Sequence, residues 1–380
     1  MKSMFFIIVF TVYLLANFYV FRHFWIAMPP SNVGRIALLS FAVIAVTSFF
    51  ISFLIGDSLP VGLTSLLYKV GTAWFFILLY FLMIIAAKDL LGLSNKLLHF
   101  MPSDSITRYT RDNWVGLGLM VGFVALLMTC GYLKYQWKVR VDLPVQIYKT
   151  FGDTISPRSL RIVAITDLHL GYGIGEKEFE KWVDLINTEN PDIVLIAGDI
   201  IDNSVRPLKE GHFAEVFHKI KAPMGIYACP GNHEYISGAK ESFDFITKAG
   251  VHLLRDSVAE IDSCFYVVGR DDKSNPNRKS LKELVAGLDH TKPIIMLDHQ
   301  PYHLEEAEAN GIDIQISGHT HQGQVWPISM ITKKLYERDH GFVKKGNANI
   351  YVSSGIGLWG GKFRIGTQSE YVVIDVNKKK

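Results

Sequence analysis

The sequence predicts a chain in two parts: four transmembrane helices, then an α/β domain with largely buried sheets. Three observations carry this expectation. Apolar residues make up 49% of the 380 positions, and they crowd into long runs in the first third. From about Leu143 the pattern changes to short β-branched runs alternating with amphipathic stretches, which is how an α/β fold reads. Five of the short runs are followed within three residues by an Asp, Asn or His.

The long runs are Met4–Phe21, Ile36–Ile55, Val70–Ala87 and Trp114–Tyr132. Each approaches the ~20 residues a helix needs to cross a hydrocarbon core of ~30 Å. Flanking Arg22, Trp25, Lys88, Lys134 and Trp137 suit the membrane interfaces. A cleaved signal peptide fits the first run poorly, because its basic leader is thin and no small-residue cleavage site follows. Lysines and arginines are balanced between the two sides, so the positive-inside rule leaves the orientation open. No span carries a central Asp, Glu, Lys or Arg, which favours an anchor over an ion pathway. The expected organisation is a transmembrane region over 1–142, a linker over 143–157 and the α/β domain over 158–380, in a multi-pass protein of the cell membrane.

Within the second part, Arg161–Thr166, Asp192–Ala197, Met224–Cys229, Cys264–Val268, Pro293–Leu297 and Ile314–Ser317 read as buried strands. Asn349–Ser353 and Tyr371–Val376 add two more. Glu176–Asn187, Phe213–Ile220, Ala239–Ala249, Leu281–Gly287 and Tyr302–Asn310 read as helices. The tail Lys378–Lys380 reads as a solvated terminus. A net charge of +3 and the lack of a basic aromatic groove argue against a nucleic-acid partner. The three cysteines have neither disulfide nor zinc-knuckle spacing, and Cys229 reads as a small strand residue.

The chemistry sits where the strands end. Asp167-Leu168-His169, Gly198-Asp199, Gly231-Asn232-His233-Glu234, Asp298-His299-Gln300 and Gly318-His319-Thr320-His321 each follow a strand, and sites assemble at the carboxyl ends of strands in open α/β sheets. Asp167, His169, Asp199, Asn232, His299, His319 and His321 are too many ligands for one tetrahedral ion but suit two ions sharing a bridge. Mixed oxygen and imidazole donors favour Mn, Fe or Zn. Two divalent ions against two aspartates leave a positive surplus that matches a phosphate ester. Such ions also depress the pKa of a bridging water, giving a hydroxide for in-line attack. Gly198, Gly231 and Gly318 mark strand exits where the backbone turns sharply or approaches another segment closely.

The series DLH, GD, GNHE, HQP and GHTH resembles the calcineurin-like metallophosphoesterases over about Arg161–Val376. YVSSGIGLWG and SEYVVIDV are similar to the membrane-attached branch, the transmembrane proteins with a metallophosphoesterase domain. Here Gln322 replaces a glycine of that branch, and Asp298 replaces a serine. The resemblance implies a two-layer β-sandwich flanked by helices. It implies one ion on Asp167, His169, Asp199 and His321, and another on Asp199, Asn232, His299 and His319, with Asp199 as the bridge. It makes His233 a general acid or charge stabiliser at the phosphoryl group. Asp202 is expected either to hold a ligand histidine or to cap a helix, and Asp298 either to orient His299 or to cap a turn. Arg364 is a candidate substrate contact, with a surface ion pair as the bland alternative. Gly171-Tyr172-Gly173-Ile174-Gly175 reads as a flexible loop at the metal site rather than a dinucleotide loop.

The function these residues imply is a membrane-anchored phosphomono- or diesterase with two divalent ions, acting on a lipid-linked or envelope ester. Pyrophosphate cleavage in a lipid-linked sugar nucleotide is one alternative. A sensor or transport protein with a regulatory phosphoesterase-like domain is another, and loss of a ligand residue would favour it.

Overall fold

A computed structural model describes residues 2–143, 145, 147, 149 and 160–376. Most of the expected linker and the Lys378–Lys380 tail lie outside the described residues. The chain divides into two compact units, Met1–Gly131 and Tyr132–Lys380.

The first unit is built on long apolar helices. Among the described residues four segments are long and apolar enough to cross a membrane, Ile7–Ala27, Asn32–Ser58, Val61–Leu98 and Trp114–Gln136, on the helices Lys2–Ala27, Asn32–Ile55, Val61–Leu98 and Trp114–Gln136. The third helix has 38 residues, so at ~1.5 Å per residue it outruns a ~30 Å hydrocarbon core. Ser31 caps the second helix through its hydroxyl, and His99 closes the third in the left-handed conformation. At Gly71 a Cβ would lie 2.3 Å from the backbone of Phe49, so the second and third helices touch through a residue with no side chain. Trp74, stacked on Phe21, donates its indole N–H to Asn17. No acidic or basic residue lies mid-span, but His23, Lys88, Asp89 and Asp112 gather into an ion-pair cluster.

The second unit is a sandwich of two six-stranded sheets. Its strands are β1 (Lys138–Asp142), β2 (Leu160–Ile165), β3 (Ile193–Ala197), β4 (Ile226–Cys229), β5 (His252–Leu253), β6 (Ser257–Ile261), β7 (Phe265–Gly269), β8 (Ile294–Leu297), β9 (Ile314–Ser317), β10 (Gly341–Lys345), β11 (Ala348–Val352) and β12 (Ser369–Val376). One sheet runs β1-β12-β2-β3-β4-β5 and the other β10-β11-β9-β8-β7-β6. The inner strands β2, β3 and β4 are parallel, as are β7, β8, β9 and β11.

Alternation along the strands builds three layers of core. Ile162, Ala164, Leu195 and Ala197 face Val267, Ile295, Leu297 and Ile316 between the sheets. Val163, Ile165, Val194 and Ile196 point outward onto Phe179, Trp182 and Phe217. Ile294 and Met296 point outward from the other sheet onto Leu284, Leu304 and Ala307. The result is helix, sheet, sheet, helix. One boundary differs from expectation: residues 138–142 are not part of the membrane region but form β1, paired in parallel with β12.

Candidate metal centre

Parallel strands bring their carboxyl ends to one edge of each sheet, and the loops that follow β2, β3, β4, β8 and β9 carry every candidate ligand. Local hydrogen bonds lock the loops together. Asp167 N–H donates to Gly198 O, and His169 N–H to Asp199 O, at 3.1 and 3.0 Å. His319 N–H donates to the Asp167 carboxylate and His233 N–H to Asp199 Oδ1. Loop-to-loop bonds of this kind hold donor atoms in place before any ligand arrives.

Donor atoms of Asp167, His169 and His321 lie within 4.8 Å of one another, and so do those of Asp199, His299 and His319. His169 and Asp199 also share such a group with His233, so Asp199 stands between the two clusters. The Nε2 atoms of His169 and His321 are 3.1 Å apart, and His319 Nδ1 is 2.9 Å from Asn232 Oδ1. His299 Nδ1–H donates to Ala197 O at 2.8 Å, which aims its Nε2 inward. That buried Nε2 has no hydrogen-bond partner although Asp199 Oδ2 is 3.1 Å away. A buried imidazole nitrogen that approaches a carboxylate without hydrogen-bond geometry is what ligands sharing an ion look like. The residues therefore fit divalent metal binding.

The electrostatics agree at His319 and His321. Burial, helped by His299, pushes His319 down to about 4, and burial with His169 depresses His321. Both rings are thus neutral, as a ligand must be. Burial opposes the charge on Asp199, but His299 and His233 outweigh it and hold the carboxyl well below its usual range. His299 is raised because Asp199 overcomes the cost of burial.

Other expected residues are placed as follows. Asp202 is buried, with Oδ1 3.5 Å from Nδ1 of both His169 and His233. The next helix has Val205 at its N-cap with no side-chain capping bond, so Asp202 is not its cap. Asp298 does not touch the His299 ring; it pairs with Arg270 at 3.0 Å and Arg278 at 2.6 Å. Arg364 corrects its expectation. It is 1% exposed and donates to the carbonyls of His321, Ser354 and Gly355 and to Ser369 Oγ, so it braces the ligand loop from behind instead of reaching substrate. The 171–175 loop is closed by Gly171 N–H on Ile174 O, and its first four residues are buried, so it is packed structure.

Glu234 is the residue the sequence did not single out. Fully buried, it accepts the N–H groups of Asp199, Ile200, Ile201 and Gly231 at 2.7–3.1 Å. One carboxylate thereby fastens the Asp199 loop to the Asn232 loop. Its only signal was a glutamate three residues beyond Gly231, the spacing of a capping box.

Comparison with known proteins adds to the geometry. Residues 160–323 match the family model of the calcineurin-like phosphoesterases. An uncharacterized metallophosphoesterase of Helicobacter pylori is 33% identical over 56% of this chain and 58% of its own length. One from Aquifex aeolicus is 30% identical over 58% of this chain and 86% of its own. A Danio rerio transmembrane protein with metallophosphoesterase domain is 27% identical over 90% of this chain and 80% of its own.

Proposed function

The chain belongs to the calcineurin-like phosphoesterases, and from that premise we propose that it is a membrane-anchored phosphoesterase with two metal ions, multi-pass in the cell membrane. The single observation that carries this is the pair of largely buried donor clusters linked by the approach of His169 to Asp199. Asp167, His169, Asp199 and His321 would hold one ion, and Asp199, Asn232, His299 and His319 the other. Ions of the Mn, Fe or Zn type supply Lewis-acid charge against a phosphoryl group and acidify a water toward neutrality.

The chain's own residues do the rest. His233 donates its Nδ1–H to Asp202 O at 2.7 Å, which leaves Nε2 to face the reacting group. Burial works against its charge, yet Asp199 and Asp202 raise its pKa above the ordinary histidine value. A protonated Nε2 suits a general acid for the leaving oxygen. Asp202 positions both His233 and His169, and Glu234 and Arg364 position the loops. The apolar helices support a substrate that itself lies at a membrane, a lipid-linked or envelope phosphoester.

The test uses the full chain in detergent, stripped with chelator and assayed on an aryl phosphomonoester and a diester with Mn, Zn, Mg or no metal. Hydrolysis restored by metal is the expected outcome. Asp199→Asn should lose at least a hundredfold in kcat while keeping its fold, because one neutral oxygen cannot bridge two ions. Full turnover by that variant would overturn the two-ion mechanism, and metal-independent turnover would overturn the metalloenzyme itself.

A further inference from the structure

A polar pocket of about 230 Å³ lies at the carboxyl end of β8 on the outer, helix-covered face of its sheet. Ile294 and Met296 pack outward and Ile295 and Leu297 inward, so the pleat carries Asp298 to the outer face and His299 to the metal centre. Arg270, Lys273, Arg278 and Lys279 line the pocket against the carboxylates of Asp298 and Glu306. Four cations against two carboxylates leave two positive charges.

The two arginines take up both carboxylates. Their side chains are 10% exposed; Arg278 pairs with Asp298, and Arg270 with both Asp298 and Glu306, so the charges of Lys273 and Lys279 are the surplus. The Nε atoms of Arg270 and Arg278 are buried with no hydrogen-bond partner. Crowded guanidinium groups with unmet donors are costly unless another anion joins them, and planar donor forks match phosphate oxygens. Burial and the neighbouring Arg278 also lower the pKa of Lys273, a strain that a bound anion would relieve.

The pocket is linked to the metal centre by aromatic rings. Lys273 Nζ lies 3.6 Å over the Tyr302 ring, Tyr302 packs on Tyr336 at 5.2 Å, and Tyr336 meets His319 at 6.2 Å.

We propose that this pocket is an anion subsite for a second phosphate group of the substrate, whose scissile ester lies at the metal centre. The proposal rests on the phosphoesterase reading above and narrows the substrate class to esters bearing two phosphates.

Two measurements on the full chain test it, using Lys273→Glu and Lys279→Glu, both at exposed positions, with Lys273→Arg as the conservative control. In the first, inorganic phosphate is titrated calorimetrically into chelator-stripped protein. Wild type and Lys273→Arg should bind, and each charge reversal should weaken binding at least about tenfold. Equal binding by all variants, or none by wild type, would overturn the subsite. In the second, the metal-loaded variants are compared on a symmetrical diol bisphosphate and the matching alkyl monophosphate. KM should rise about tenfold for the bisphosphate alone, with kcat unchanged. Weakened phosphate binding with no selective KM change would overturn the substrate assignment and make the site one for free phosphate. Weakened phosphate binding in a protein that hydrolyses no ester would instead leave the subsite standing and sink the phosphoesterase reading.

Discussion

Five of the seven candidate ligands, Asp167, His169, Asp199, His319 and His321, adopt positive φ. That conformation costs a non-glycine residue of order 1–3 kcal/mol, although Asp and His tolerate it better than most. Concentrated at one site, it means the loops are held by their surroundings, chiefly the N–H groups gathered by Glu234 and the carbonyls gathered by Arg364. Little room is left for change. A Cβ at Gly318 would lie 2.2 Å from Asp167 Oδ2, and one at Gly231 the same distance from Asp199 Oδ1. Gly318→Ala should therefore displace Asp167 and cut kcat/KM at least about a hundredfold, with a matching fall in metal affinity by competition with a fluorescent chelator. Gly175→Ala, where a Cβ meets nothing within 4 Å, serves as the comparison and should retain activity. Wild-type metal affinity in Gly318→Ala would show that the close approach does not matter.

At the scale of the element, the inner strands were legible because they are wholly buried: β3, β7 and β8 are apolar runs and β9 carries Ile314 and Ile316, and Asp and His residues stand within a few residues of the ends of β3, β8 and β9. β1, β6 and β10 were not legible. They are partly exposed strands with mixed burial, and charged residues such as Arg140, Glu260 and Lys344 break their apolar pattern. Arg364 was misread for a related reason, since its partners at Ser354 and His321 depend on the fold and not on spacing. Strand β12 shows how such a contact acts. Its Glu370 is buried and accepts from Ser354 N–H, Ser353 Oγ, Tyr351 OH and Gln368 Nε2, with His340 Nε2 at 3.0 Å. Burial favours the neutral acid, but the hydrogen bonds from His340, Gln368 and Ser354 prevail and hold the pKa at about 2. A folded value below the unfolded one, roughly 4.3, gives stability that is complete above that pH and disappears as pH falls toward the folded value. Wild type should thus lose stability between about pH 5 and pH 2 with a steeper slope than Glu370→Gln. The variant should already be about 1–3 kcal/mol less stable near neutrality, where its amide N–H groups face donors. Parallel urea midpoints across that range would remove Glu370 from the acid response.

At the scale of the whole molecule, the three cores of the sandwich draw on residues from Tyr135 onward, and the metal donors all belong to the Tyr132–Lys380 unit. Two compact units with separate interiors need not unfold together. Metal binds only a folded site, so it stabilises the unit that owns the donors by RT ln(1 + [L]/Kd), about 2.7 kcal/mol at a hundred times Kd. In a unit of this size that corresponds to roughly 5–10 °C in Tm. Calorimetry of the full chain in detergent should then show two transitions, with chelator lowering only that of the sandwich. Tryptophan emission assigns them, because Trp74 reports on the helices and Trp182 on the sandwich, given a partner chain in which the other tryptophans are replaced by Phe. A single transition that chelator shifts as a whole would mean the helices and the sandwich form one cooperative unit. In that case the membrane segment would contribute to the stability of the metal centre as well as to its location.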